Sequence, residues 1–281
     1  MSDLLRCAIS PDADDRFMFR ALTEGLIDTE GLRFEIVERD TDLLNRMADG
    51  DGPDITAISI AHYPAVALRY LLLAHGGSVG RGYGPVVVAP RPLLSLKGLR
   101  IGVPGLTTTA CLVLRLVEPD FTPVVIPIVP PQRSFDAVRA GEVDAVLLIH
   151  EGRLTYREQG FVEVLDTGAW WQRQLGLPLP LGGNVIRRDL SPDVRARADR
   201  VLRASIAHGL AHRDEALDWL LATGSGALRT REQVDTYLGL YANADTLDYG
   251  ADGRAGIRAL LRRGAEAGWL APVDTVLFQG D

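Results

Sequence analysis

Asp144-Ala-Val-Leu-Leu-Ile-His150-Glu151-Gly-Arg-Leu-Thr-Tyr156 is the stretch on which the fold turns. Val146 to Ile149 form an unbroken apolar run with no polar alternation, the pattern of a short strand buried on both faces, as in a parallel sheet. Directly at its carboxyl end stand His150, Glu151 and Gly152. In open α/β sheets the crevice beyond the carboxyl ends of the strands is where ligands bind. An imidazole titrates near pH ~6.5 when unperturbed, so His150 is placed where a general base is useful. A histidine that merely hydrogen-bonds a loop is the competing reading.

Outward from this strand the same grammar repeats. Leu99 to Val103 predicts a strand, followed by Pro104-Gly105-Leu106-Thr107-Thr108-Thr109-Ala110 and a helix through Leu112, Val113, Leu116 and Val117. A glycine turn, hydroxyls and a helix start make an anion pocket, in which backbone N–H groups, Thr108 and Thr109 face a carboxylate or phosphate. One threonine acting as a helix cap is the alternative. Leu4 to Ile9 predicts a strand ending at Ser10-Pro11, and Asp12-Ala13-Asp14-Asp15 opens a helix. A carboxylate there can cap free amides and meet the positive end of the dipole, while Asp14 is also a candidate for the cleft. Asp54 to Ile58 predicts a strand closing at Ser59, Ile60 to Leu68 a helix, and Phe121 to Val129 a strand. Gly76 to Gly84 lacks the Lys-Ser/Thr of a phosphate loop and is expected to be a flexible turn.

Strands alternating with helices, then a mainly helical stretch from Ser191, imply two α/β lobes. The expected division is 1–94 with 185–281 for the first lobe and 95–184 for the second. The cleft between them would be lined by Ser10, Ser59, Thr108, Thr109 and His150. No internal repeat is visible in the sequence.

Composition narrows the function. With 47% hydrophobic and 24% charged residues the chain is an ordinary globular protein. A net charge of −7 argues against nucleic acid as a partner, since phosphate contacts need clustered Lys and Arg. Cys7 and Cys111 are isolated, without the spacing of a zinc site or a disulfide framework. The longest apolar run, Ala65 to Ala74, is interrupted by Arg69 and Tyr70 and is too short to span a bilayer. With no secretory pattern at the start, a cytoplasmic location and no membrane partner are expected.

Several motifs together resemble one enzyme family. They are Gly105-x-x-Thr108-Thr109-Ala110, Ile149-His150-Glu151-x-Arg153-x-Thr155-Tyr156, Leu177-Pro-Leu-Pro-Leu181-Gly182, Gly76-Gly77, Gly80-Arg-Gly-x-Gly-Pro85 and Arg187-Arg188-Asp189-Leu190. In order and over nearly the whole chain they resemble the 1,4-dihydroxy-6-naphthoate synthases of the futalosine route to menaquinone. The resemblance implies an α/β, two-lobed type II periplasmic-binding-protein-like fold with a central cleft. It also implies a lyase converting cyclic dehypoxanthinylfutalosine to 1,4-dihydroxy-6-naphthoate, with no metal and no organic cofactor. By the same resemblance His150 is the base and Ser59, Thr108 and Thr109 hold a small carboxylated substrate. Ser10, Asp14 and Asn184 are further candidates for the substrate site, outside what the resemblance itself implies. A monomer and a homodimer both remain open.

The match has departures. The family's Ser-Pro-Cys-Pro-Asn-Asp-Thr-Phe appears as Ser10-Pro-Asp12-Ala-Asp14-Asp15-Arg16-Phe17. Thr107 and Asn184 also differ from the pattern. Arg16 is expected to pair with Asp12 or Asp15. A paralogue acting on a related substrate, or a small-anion solute-binding protein without chemistry, is the alternative.

Overall fold

Ala145–Leu148 forms a strand with all four residues buried, at the centre of one of two sheets. The computed structural model describes residues 3–128, 130–224 and 227–281. The first sheet has six strands: β1 (Leu4–Ile9), β2 (Arg33–Glu38), β3 (Ile55–Ser59), β4 (Tyr70–Leu72), β5 (Ser78–Gly80) and β11 (Leu179–Arg187). The second has five: β6 (Val86–Ala89), β7 (Arg100–Val103), β8 (Thr122–Val125), β9 (Ala145–Leu148) and β10 (Val162–Asp166).

The apolar runs behave as their lack of alternation predicts. Successive side chains of a strand point to opposite faces. Accordingly, Val86, Val88, Val146 and Leu148 enter one core of the second sheet, while Val87, Ala89, Ala145 and Leu147 enter the core on its other face. Each large apolar side chain among them contributes about 1.5–3 kcal/mol when fully buried, which holds the strand end carrying His150 in place. The sheet is mixed rather than parallel throughout, because β9 runs parallel to β7 but antiparallel to β6.

Strand order exposes a repeat that the sequence does not show. The first sheet runs β2-β1-β3-β11-β4 and the second β8-β7-β9-β6-β10. In each, three parallel strands are followed by an antiparallel one that the chain supplies beside its crossing between lobes. Helices α1 (Ala13–Thr23) and α2 (Thr41–Ala48) occupy the chain positions in the first lobe that α4 (Thr109–Val117) and α5 (Gln132–Arg139) occupy in the second. Ser59 and His150 then stand at corresponding places, at or just beyond the ends of β3 and β9.

Sheet membership moves the expected division at 94/95 and 184/185. β6 already lies in the second sheet, and all of β11, from Leu179, lies in the first. Residues 90–99 lie outside any strand, whereas the proline-containing segment from Leu179 pairs along its length within the first sheet. Two three-residue strands, β4 and β5, escape prediction because so short a run carries no periodicity. Ile60–His62 is a 3-10 turn followed by the short α3 (Tyr63–Val66), rather than one helix to Leu68. β8 covers only the start of the strand expected over Phe121 to Val129, and Val129 lies outside the described residues.

Short helices α6 (Gly152–Thr155) and α7 (Thr167–Leu175) complete the second lobe's segment. The remaining helices are α8 (Pro192–Ala211), α9 (Arg213–Thr223), α10 (Arg231–Tyr241), α11 (Ala244–Leu247) and α12 (Gly250–Glu266). Ser191 caps α8 by accepting from Val194 N–H, and Thr230 and Gln233 form a reciprocal capping box on α10. One core of the first lobe joins Phe17 and Met18 of α1 to Leu202, Leu220 and Tyr237. That packing carries Tyr237 to the start of α1. Phe278 bridges to Leu72, closing the sheet beside β4.

Candidate functional site

Four segment ends converge between the lobes: Ser10 after β1, Ser59 ending β3, Thr108 before α4 and His150 after β9. They line a cavity of about 770 Å³, counting its open mouth, together with Asp14, Thr41, Leu181, Gly183 and Tyr241. The size is that of pockets for small organic molecules. The sequence-derived residues Ser10, Asp14, Ser59, Thr108, Thr109 and His150 all lie on it. Asn184 does not. It is buried on β11 with its amide nitrogen packed behind Gly76, and its Oδ1 has no partner among the described residues.

His150 adopts φ +50°, in the left-handed region. For a residue with a Cβ this backbone costs on the order of 1–3 kcal/mol and is found where function over-determines it. The turn swings the imidazole out of the strand line, leaving 21% of the side chain exposed. Its Nδ1 lies 3.2 Å from Asp12 Oδ2 and 3.2 Å from the Tyr237 hydroxyl. Its Nε2 lies 3.4 Å from the Thr41 hydroxyl, on the side of the cavity.

Around the imidazole sit four buried carboxyl groups, Asp12, Asp14, Asp15 and Glu151. Ser10 donates its hydroxyl to Asp12 and its N–H to Asp15 at 2.6 Å. Asp14 accepts from the Tyr237 hydroxyl at 2.8 Å and from Ser78 at 2.9 Å. Glu151 Oε1 has no hydrogen-bond partner among the described residues. No ion pair to Lys or Arg reaches any of the four among the described residues. Burial pushes Asp12 and Asp15 up, and pushes Glu151 up to about 8, because the charged form loses its hydration. Burial alone would lower His150, but the carboxylates of Asp12, Asp14, Glu151 and Asp15 outweigh it and leave the imidazole raised. Asp12, Asp14 and His150 also present donor atoms within 4.8 Å of one another, a spacing compatible with a cation.

Several expectations about these side chains are corrected. Asp12 occupies the cap position of α1, yet its side chain makes no cap hydrogen bond, being turned to Ser10 and His150. Arg16 pairs with Glu38 at 3.3 Å and lies over the Trp219 ring, not beside Asp12 or Asp15. The threonine hydroxyls do not point outward. Thr108 donates to Gly105 O while capping Cys111 N–H. Thr109 donates to Leu181 O at 2.6 Å and accepts from Ala61 N–H. Thr107 donates to Asp42 at 2.8 Å and accepts from Asn45. Since the contacts of Thr107 and Thr109 run from the second lobe to the first, these threonines lace the cleft shut. Gly105 packs so close to Asp42 that a Cβ there would sit 2.2 Å from its Oδ1.

The start of α4 offers backbone donors in place of those hydroxyls. At the start of α4 the N–H groups of Thr109 and Ala110 have no backbone partner among the described residues, as expected of first-turn amides. Both residues line the cavity. Across from them the Ser59 hydroxyl accepts from Asn45 Nδ2 at 3.2 Å, and its own proton has no acceptor among the described residues. Two amides, a helix dipole and one free hydroxyl make a carboxylate seat. Asn45, Thr41 and Tyr237 have no sequence signal of their own. Asn45 and Thr41 lie on an ordinary amphipathic helix, and Tyr237 is 223 residues from Asp14.

Comparison with known proteins identifies the family and the fold. Residues 5–266 match the family described as menaquinone biosynthesis. A 1,4-dihydroxy-6-naphthoate synthase of Thermus thermophilus is 40% identical over 98% of this chain and 99% of its own. A crystal structure of a protein from Archaeoglobus fulgidus is 43% identical with a TM-score of 0.89, covering 95% of this chain and 98% of that one. The alkanesulfonate-binding protein of Xanthomonas axonopodis pv. citri shares the fold at a TM-score of 0.69 and 15% identity, covering 98% of this chain and 96% of that one. The two-lobed fold is therefore that of periplasmic binding proteins, and the chain belongs to the menaquinone biosynthesis family.

Proposed function

We propose that the chain is a carbon–carbon lyase that converts cyclic dehypoxanthinylfutalosine to 1,4-dihydroxy-6-naphthoate, with His150 as general base. One observation carries the reading: a raised-pKa imidazole is held on its Nδ1 side by Asp12 and Tyr237 while its Nε2 lies toward a cavity of substrate size. A base with a pKa near the working pH suits removal of a sugar hydroxyl proton. Loss of that proton lets the adjoining carbon–carbon bond between sugar and carbocycle break. The hydroxyl-bearing carbon leaves as a carbonyl on the sugar fragment, the electron pair passes to the carbocycle, and aromatisation of that ring drives the step forward.

The carboxylate seat at Ser59, Thr109 and Ala110 orients the aryl carboxylate of such a substrate. Asp14 accepts from Tyr237 with one oxygen and from Ser78 with the other, which fixes its carboxyl in the cavity wall. Ser59→Ala is expected to weaken substrate binding about ten- to hundredfold, the value of one hydrogen bond to a charged group. An unchanged KM would place the carboxylate elsewhere.

The competing reading, a solute-binding protein without chemistry, draws on the shared fold alone. Incubating the purified protein with cyclic dehypoxanthinylfutalosine separates the two. Formation of the dihydroxynaphthoate supports the lyase, and stoichiometric binding without product supports the carrier.

A further inference from the structure

Tyr237 does not line the cavity, is fully buried on α10, and still places its hydroxyl 3.2 Å from the base. We propose that Tyr237, with Asp14 behind it, is a positioning residue that locks the His150 imidazole in the Nδ1–H form and reserves the Nε2 lone pair for the substrate. The proposal deepens the reading of His150 as the base and rests on it for its kinetic part.

Each proton along one chain of contacts has a definite place. Ser78 donates to one oxygen of Asp14, and Tyr237 donates its only hydroxyl proton to the other at 2.8 Å. With that proton committed, the tyrosine oxygen can only accept from the imidazole. Nδ1 must then carry the hydrogen that spans the 3.2 Å gap. Asp12, also 3.2 Å from Nδ1, adds an ion-pair contact on the same side of the ring but no hydrogen bond.

Tyr237 is pushed well above 10 by burial and by the surrounding Asp14, Glu151 and Asp12, so its hydroxyl stays intact. Asp12, Asp15 and Glu151, the other titrating groups facing the imidazole, make no hydrogen bond to either ring nitrogen among the described residues. Among the described residues Tyr237 is therefore the hydrogen-bond partner that fixes the proton on Nδ1.

The first test uses the wild-type protein without substrate. Imidazole nitrogen spectra of 15N-histidine-labelled protein, assigned with His150→Asn, are expected to show neutral His150 with hydrogen on Nδ1 and a bare Nε2. The opposite tautomer overturns the proposal. The second test is kinetic. Tyr237→Phe is expected to lower kcat on the order of 10–10²-fold, a share of the about 10²–10⁴-fold that positioned acid–base catalysis supplies. KM should stay within about twofold, since the tyrosine does not reach the cavity, and the variant's nitrogen spectrum should show a larger Nε2–H fraction. An unchanged kcat with an unchanged tautomer overturns the proposal. Should the Phe variant fail to fold, Asp14→Asn serves, because its amide can donate to the tyrosine oxygen and free the phenol proton for Nδ1. The expected result is a larger Nε2–H fraction, and an unchanged tautomer counts against the lock. If the wild type shows Nδ1–H but His150→Asn remains active, the base assignment falls and the tautomer assignment stands.

Discussion

His150→Asn is expected to lower turnover by about 10²–10⁴-fold, the usual contribution of a positioned general base. Asparagine suits the test because it tolerates the left-handed backbone that His150 adopts, so the strand end should keep its shape. A far-UV circular dichroism spectrum matching wild type would separate a lost base from a lost fold. The wild-type pH profile has a definite sign. A base must be unprotonated, and the carboxylates around His150 hold its proton more tightly than water does. The rate should therefore rise with pH through a value above 6.5. Wild-type turnover in the variant, or a midpoint below 6.5, would remove His150 from the chemistry.

Glu151→Gln should change how stability depends on pH more than it changes catalysis. Glu151 is pushed from 4.5 up to about 8 by burial, with Asp12 adding to the rise. The folded state thus binds the proton more tightly than the unfolded chain does. Its favourable contribution is complete below about pH 4.5 and is lost as pH rises through about 8. The loss amounts to on the order of a few kcal/mol, since a tenfold difference in proton affinity between the two states is worth about 1.4 kcal/mol. A glutamine keeps the shape and cannot ionise, so its Tm should gain on wild type between pH 5 and 8. Parallel curves for the two proteins would mean that Glu151 ionises in the fold without cost.

Much of this is legible in the sequence, for identifiable reasons. Val146 to Ile149 announces a doubly buried strand because unbroken apolarity is a local signal, and the place of His150 follows from it. The cavity residues Ser10 and Ser59 are legible as polar positions at strand ends, and Thr108 and Thr109 as hydroxyls at a helix start. Their hydrogen-bond roles are not. Whether a threonine hydroxyl faces a ligand or laces two lobes depends on Leu181 and Ala61, which only the fold brings near. Capping suffices to explain Asp12 locally, because nothing nearby in sequence reveals an imidazole arriving from the other lobe. Tyr237 has no sequence signal at all, being an apolar-face residue of α10 whose polar end matters only through Asp14.

The exchanged antiparallel strands carry a consequence for how the molecule is made. Residues 86–166 supply every strand of the second sheet, so a nascent chain can finish that lobe as one contiguous piece. The first sheet lacks β11 until residue 187 has emerged, and the seam beside β4 stays open until Phe278 arrives. During synthesis, β3 therefore waits with an unpaired edge through the whole translation of the second lobe, the condition under which strands recruit wrong partners. The lobe that begins the chain is the last to be sealed.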